Sequence, residues 1–255
     1  MKQTFKRALV LSSVFLVCFL NFAPEASAAL SKKRGTKGAF AGGAFSMGLG
    51  IALSTAEQNG INSMIDTAKT QVNSSAGKLS SGLEYLGYGT FRFANGFTAG
   101  QLRVSYFTQS SSGSGTDGSQ SYDLTGFTIF PMARLIPLSN DLIDFYLQGG
   151  LGYGKLDGSI VNGTKSAKFS GSAFGMQVGL GAEFCFVPDH CFNIEGNYRY
   201  LPIERNLVSS GTGPGNLPYG SSQASSGNEL EDLGGRDVAT TLSGVQGLVS
   251  YTYNF

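Results

Sequence analysis

The sequence has 255 residues, 12% aromatic and 14% charged, with 37 glycines and no tryptophan. Its formal net charge of +1, which falls to −1 once the N-terminal signal described below is removed, argues against a nucleic-acid partner. The single histidine among these residues leaves little material for histidine-dependent catalysis.

The chain opens as an export signal. Lys2, Lys6 and Arg7 form a basic start, Ala8 to Leu20 is mostly apolar, and Ala26-Ser27-Ala28 offers a small-residue cleavage site before Ala29. The apolar run is short for a membrane helix of roughly 20 residues. Bulky Val17 ahead of Cys18 argues against lipidation there. The expected organisation is a removed signal over 1–28, a short periplasmic segment over 29–36 and one domain over 37–255. Losing residues 1–28 removes three basic residues, Glu25 and Cys18, and leaves a net charge of −1. The two remaining cysteines can pair in an oxidising compartment.

From there the chain alternates instead of forming apolar blocks. Phe45, Met47, Leu49, Ile51 and Leu53 take turns with small or polar residues, which is the period of a strand with one apolar face. A long connection follows near 55–82. Within it, residues 56–72 read as a short helix with Ile61, Met64, Ile65, Ala68 and Val72 on one face, packed on the rim of the domain. Residues 83–94 set Phe91 and Phe93 opposite Thr90 and Arg92. Residues 97–108 set Leu102, Val104 and Tyr106 opposite Gln101, Arg103 and Ser105. Asn95-Gly96 between them is a hairpin turn. Pairing Ala94 with Phe97 then faces Tyr85 with Tyr106, Phe91 with Gly100 and Thr90 with Gln101. A Ser/Gly-rich loop is expected over 109–121. Residues 122–135 alternate poorly and count as a strand mainly because the layout requires one.

After a short connection at 136–140, Ile143, Phe145, Leu147, Leu151 and Tyr153 alternate with Asp144, Tyr146, Gln148 and glycines. A polar loop is expected over 156–167. Phe174 to Phe186 form the next strand, with Glu183 on its polar face. The stretch CFVPDHC, Cys185 to Cys191, is the following turn. Phe192, Ile194, Tyr198 and Tyr200 alternate with Asn193, Glu195, Asn197 and Arg199. A second long connection covers about 202–236, and Val245 to Phe255 end the chain as a strand.

Long and short connections alternate without a break. That is the layout of an all-β fold, a single eight-stranded antiparallel up-and-down transmembrane barrel, with short periplasmic turns and longer extracellular loops. Closure pairs every backbone polar group in lipid. The apolar face then points to lipid, with Tyr85, Tyr106 and Tyr153 toward the outer rim. Phe93, Phe145, Phe184, Phe192, Tyr253 and Phe255 lie toward the periplasmic rim. A soluble lipocalin-like barrel would turn the apolar face inward. The alternating loop lengths and the terminal Phe255 favour the membrane form.

The last five residues, YTYNF, end on an aromatic with others two and four positions earlier. This resembles the terminal signal read by the outer-membrane barrel assembly machinery. Over about 37–255 the chain resembles small Gram-negative outer-membrane barrels of the OmpA transmembrane-domain, opacity-protein and OmpX type, with the OmpW type as a more distant likeness. The resemblance implies residence in the outer membrane and contact with its lipid and lipopolysaccharide. It also implies assembly through Tyr251, Tyr253 and Phe255, and an extracellular ligand at the long loops. With the barrel reaching the last residue, the peptidoglycan-binding domain of full-length OmpA-type proteins is not expected.

Six charges fall on the inward face: Arg92, Arg103, Asp144, Glu183, Glu195 and Arg199. They are expected to pair and plug a lumen just wide enough for side chains. If they line a path instead, the barrel is a narrow channel for small or apolar solutes, as OmpW-type barrels suggest. No cofactor or metal is expected. GGLGYG (149–154) is a strand with glycines on the lumen face, not a phosphate loop. Asn162 to Ser166 lack the glycine-lysine pair of such a loop. Glu229, Glu231, Asp232 and Asp237 fit no calcium loop and read as a solvated surface. His190 falls in a periplasmic turn with no serine paired to it, so a lipid-modifying enzyme is disfavoured. If Cys185 lies opposite Cys191, Phe184 faces Phe192, Val178 faces Tyr198, and a disulfide closes the turn.

Overall fold

The computed structural model describes residues 44–140, 142–187, 189–212 and 217–255. The expected signal over 1–28 and the segment over 29–36 lie outside them. Eight long strands run in chain order: β1 Ala44–Thr55, β2 Ser81–Arg92, β3 Thr98–Gly115, β4 Gly118–Ser139, β5 Ile143–Asn162, β6 Lys165–Val187, β7 His190–Tyr200 and β8 Gly244–Asn254. Each pairs antiparallel with its sequence neighbours, and β8 pairs with β1 to close the barrel. Closure leaves no open edge in the ring that all eight strands share.

The strands are unequal. β7, β8, β1 and β2 have 11 or 12 residues. β3 to β6 have 18 to 23. The barrel therefore has a short wall and a tall one. The loops expected over 109–121 and 156–167 are mostly strand. β3 and β4 stay paired up to Gly115 and Gly118, and β5 and β6 up to Asn162 and Lys165. Serine and glycine suggested loops there, but the strands that run through them carry Tyr122, Leu124, Ile160 and Phe169 on the inner face. Burying that face holds the sheet together above the point where the short wall stops. The same fact explains the poor alternation of residues 122–135: apolar side chains such as Tyr122, Leu124 and Phe130 on the inner face stand beside Phe127, Ile129 and Leu135 on the outer one.

The two long connections rise from the short wall. The first carries helix α1, Asn59–Val72, which ends at left-handed Asn73 with φ 52°, a conformation asparagine tolerates. The described parts of the second, between Tyr200 and Gly244, hold several short strands. Its stretch Leu207–Gly211 pairs with β6 and extends the tall wall.

The β2–β3 register matches the one read from Asn95-Gly96: Tyr85 faces Tyr106, Thr90 faces Gln101 and Phe91 faces Gly100. The turn itself is wider than expected. Backbone pairing ends at Phe93 and Thr98, so Ala94 and Phe97 lie in the loop. Gly96 takes φ 69°, and the Asn95 Oδ1 accepts the Phe97 and Thr98 amides at 3.0 Å each. A side chain thus supplies acceptors that a two-residue turn would leave to the ladder.

Outward positions are apolar around the wall: Leu49, Leu102, Leu147, Leu151, Phe174, Leu180, Ile194 and Val249 are all exposed. Aromatic side chains gather at two levels. Tyr85, Tyr106 and Phe127 are neighbours in register toward the loop end. Phe45–Phe255, Phe91–Phe93, Phe184–Phe186 and Phe192–Tyr251 are ring pairs toward the turn end. Two aromatic girdles around an apolar band mark a membrane-spanning barrel. No described helix is long and apolar enough to cross a membrane.

Candidate functional site

The interior is the part of the fold with chemistry, and it divides in two. Toward the turns it is polar, and Glu195 on β7 is the centre. Its Oε2 accepts from Arg103 Nη2 at 2.6 Å, Gln148 Nε2 at 2.8 Å and Asn197 Nδ2 at 3.1 Å. Its Oε1 accepts from Arg134 Nη2 at 2.8 Å and Tyr146 Oη at 2.7 Å. Strands β3, β4, β5 and β7 meet on one carboxylate. The Arg134 guanidinium also stacks over the Tyr146 ring, 4.1 Å from its centroid. Tyr88 Oη contacts Ser250 and Thr252 of β8 and accepts from Asn193 Nδ2 at 2.9 Å. The Tyr88 ring fits because Gly48 lies beneath it, where a Cβ would collide with the ring.

Glu84 is a second centre, accepting from Arg199 Nη1 at 2.8 Å, Gln246 Nε2 at 2.6 Å and the Ser105 hydroxyl. Arg92 and Asp144 pair at 2.8 Å nearer the turns, and Arg92 also donates to the Gly96 carbonyl. Buried charges survive when they are paired and hydrogen-bonded. The satisfaction is incomplete, however: Arg103 Nε and Nη1, Arg199 Nη2 and Gln177 Nε2 are buried without a partner among the described residues.

Arg92, Arg103, Asp144, Glu195 and Arg199 thus lie in one interior, in three groups around Glu195, Glu84 and Asp144; sequence reasoning missed Glu84 and Arg134. Glu84 shares its strand face with Arg92 and could have been found by extending that parity. Arg134 was hidden in the strand whose alternation is poor. Glu183 is placed differently. It lies half-buried by the Cys185–Cys191 disulfide, its carboxylate within 4.8 Å of both sulfurs.

Toward the loops the inner face is apolar, not small and polar as expected for the whole lumen. Ile61, Met64 and Ile65 of α1 are fully buried against Phe107, Tyr122, Leu156 and Phe169 of the tall wall. Leu201, Ile203, Leu230, Val238 and Leu242 of the second connection join the same cluster. The helix face expected on the rim packs into the mouth of the barrel. Below it Phe130 lies against Gly152, where a Cβ would stand 2.5 Å from the ring. The lumen glycines of 149–154 are thus floor space for large neighbours.

Buried amides clamp this cap. Gln58 donates to the Thr241 carbonyl at 2.7 Å and accepts the Thr241 amide at 3.0 Å, tying the first connection to the second. Asn62 makes the same two-way bond with Leu79, at 3.0 and 2.7 Å. Asn206 donates to the Val238 carbonyl at 2.7 Å.

The acidic stretch at 228–237 has its own cations. Arg205 pairs with Glu229 and Asp237, and Arg236 with Asp232 at 2.9 Å. The Arg236 amide and guanidinium hold Asp232 below the usual carboxylate range. Hydrogen bonding and charge from Glu229 raise the Arg205 value. At the turn end, Cys185 faces Cys191, Phe184 faces Phe192 and Val178 faces Tyr198. Glu183, Cys185 and Cys191 are grouped as metal ligands would be, but the disulfide occupies both thiols and leaves no thiolate to bind an ion. His190 is exposed, with Nδ1 against the Tyr251 hydroxyl. Tyr251, Tyr253 and Phe255 project outward from the end of the chain, Tyr253 and Phe255 in edge contact at 5.0 Å.

A family model described as the outer membrane protein beta-barrel domain matches residues 15–228. Among solved structures, the chain is similar to the outer membrane protein OprG from Pseudomonas aeruginosa. That match has 14% identity and a TM-score of 0.56, over 84% of this chain and 96% of that one. A weaker likeness is to Ail, the attachment invasion locus protein of Yersinia pestis, solved with the heparin analogue sucrose octasulfate. It has 14% identity and a TM-score of 0.45, over 84% of this chain and 99% of that one. A major outer membrane protein from Thermus thermophilus gives 15% and 0.47, over 82% and 99%. No curated protein matches the sequence. At these identities the likeness is one of fold.

Proposed function

The chain belongs to the outer membrane protein β-barrel family and resides in the outer membrane; from that premise we propose a closed, non-catalytic barrel that presents a rigid cap to the medium. The observation carrying this reading is the filled interior. Two polar networks, one on Glu195 and one on Glu84, cross the lumen, and an apolar core built on α1 covers them. An eight-stranded barrel is just wide enough for side chains to fill.

In this reading residues 1–28 are an export signal and 29–36 stay on the periplasmic side. The turns, with the disulfide and His190, face the periplasm, and the two long connections face outward. Tyr251, Tyr253 and Phe255 serve the assembly machinery. The wall meets membrane lipid and lipopolysaccharide, and an extracellular ligand binds the cap surface. The cap suits recognition because its connections are folded and clamped, so binding costs little ordering entropy. In this reading His190 takes no catalytic part: its Nδ1 meets the Tyr251 hydroxyl, and no described serine pairs with it.

The test is the conductance of the refolded protein in a planar bilayer. A folded, silent barrel is the expected result. Steady ion-selective openings would replace this reading with a narrow channel.

A further inference from the structure

The lipid-facing wall is not smooth. A groove of 990 Å³ lies on its outside, almost wholly apolar, across β1, β2 and β3. That volume is at the upper end of the range of about 300–1,000 Å³ common for small-molecule sites. Register explains its shape. Gly87 lies between Leu49 and Val104, and Gly89 between Met47 and Leu102. Side chains of β1 and β3 stand up as two ridges, Leu49 being 74% exposed, while β2 offers bare backbone between them. Strands are ~4.8 Å apart, so the ridges stand roughly 9–10 Å from each other.

The trench has two ends. Along β2 its lining runs from Phe91, in the turn-end girdle, to Gly87. That interval is roughly 13 Å of strand. At a tilt of about 35–45° it covers roughly 9–11 Å of depth, within half of a hydrocarbon core of ~30 Å. Half the core is the reach of one leaflet's acyl chains. Tyr251 and Tyr253 line the turn-end mouth, and tyrosine is at home at headgroup level.

We propose that this trench seats one acyl chain of a phospholipid from the leaflet at the turn end of the barrel. The groove is continuous with the wall that already meets lipid, and its walls offer almost no polar partner. A helix of about 10–12 Å diameter would ride on the ridges and leave the floor empty. An extended hydrocarbon chain reaches the floor. The seat depends on the membrane wall alone and stands whether or not the lumen conducts.

The test uses the full-length protein in vesicles of phosphatidylethanolamine and phosphatidylglycerol, doped with a phospholipid bearing a diazirine in one acyl chain. After photolysis, mass spectrometry maps the adducts. The seat predicts adducts on Met47, Leu49, Leu102 and Val104 severalfold above those on Leu151, Phe174 and Leu180 of the opposite wall. Gly89→Leu fills the trench. A Cβ there comes no closer than 3.5 Å to the Phe45 ring, so the variant folds, and heat-dependent gel mobility checks that it has. Its adducts at the four positions fall to the level of the other wall. Even labelling around the wild-type wall overturns the proposal. So does trench labelling that survives Gly89→Leu in the folded variant, or labelling at the four positions below that of the opposite wall, which assigns the groove to a second copy.

Discussion

Toward the turns, one carboxylate on β7 gathers two arginines, a tyrosine and two amides from four strands. Toward the loops, Met64 and Ile65 of a helix sit among rings and aliphatic side chains of the tall wall. β4 serves both regions with the same face: Arg134 points into the first, Phe130 and Tyr122 into the second. What changes along the strand is its partner. The polar region is made by barrel strands facing one another across a narrow lumen. The apolar region is made by barrel strands facing chain that folds back from the long connections. The first must satisfy charges and does so incompletely. The second buries hydrocarbon, where shape decides, and holds it with a few buried amides such as Gln58 and Asn62.

The two regions should therefore fail differently. The largest effect is expected for Glu195→Ala, which leaves Arg103 and Arg134 buried without their shared carboxylate. Urea unfolding of the reconstituted protein should lose about 3–5 kcal/mol. Replacing the three together, Arg103→Met, Arg134→Met and Glu195→Leu, should recover most of that loss. Failure to recover would mean that the triad sets the barrel's register instead of merely occupying its lumen.

Met64→Ala should cost about 2–5 kcal/mol through the cavity it leaves, but the loss belongs to the cap. Hydrogen exchange should rise over 56–80 and 201–243 while β7 and β8 keep their protection. Gln58→Ala cuts the tie between the connections and should cost about 1–3 kcal/mol, seen as faster exchange at the Thr241 amide. The Cys185→Ser/Cys191→Ser double variant should cost about 2 kcal/mol, the low end for a disulfide, since the closed loop is short.

The smallest effect concerns neither region. Asp232 has a depressed folded value, so its contribution is full above the ordinary Asp value of about 3.9. It is lost as pH falls through the lower folded value. Acidification should shift the Gly234 and Arg236 amide resonances and leave the barrel unchanged.

The same contrast explains what could be read in the sequence. The strands of the short wall, the β2–β3 register and the address of the disulfide turn all follow from period-two alternation and turn residues. Those are local rules. The upper halves of β3 to β6 broke them, because Tyr122, Leu124, Ile160 and Phe169 are apolar on a face that a simple transmembrane barrel would leave polar. The residues that bury them lie in other segments: Met64 in the first connection, Leu230 and Val238 beyond β7. No spacing in the sequence announces that meeting. Arg134 was missed for the same reason, while Glu84 sat on a face already identified and was overlooked.

The central claim is that the lumen is closed twice, and single-channel conductance of four proteins tests it most directly. These are the wild type, a variant with Arg103, Arg134 and Glu195 all changed to serine, a variant with residues 56–79 replaced by a short Gly/Ser linker, and the combination. Double closure predicts silence from the wild type and from each single variant, and steady openings from the combination alone. Steady openings from the wild type, or from either folded variant with one closure intact, would contradict it.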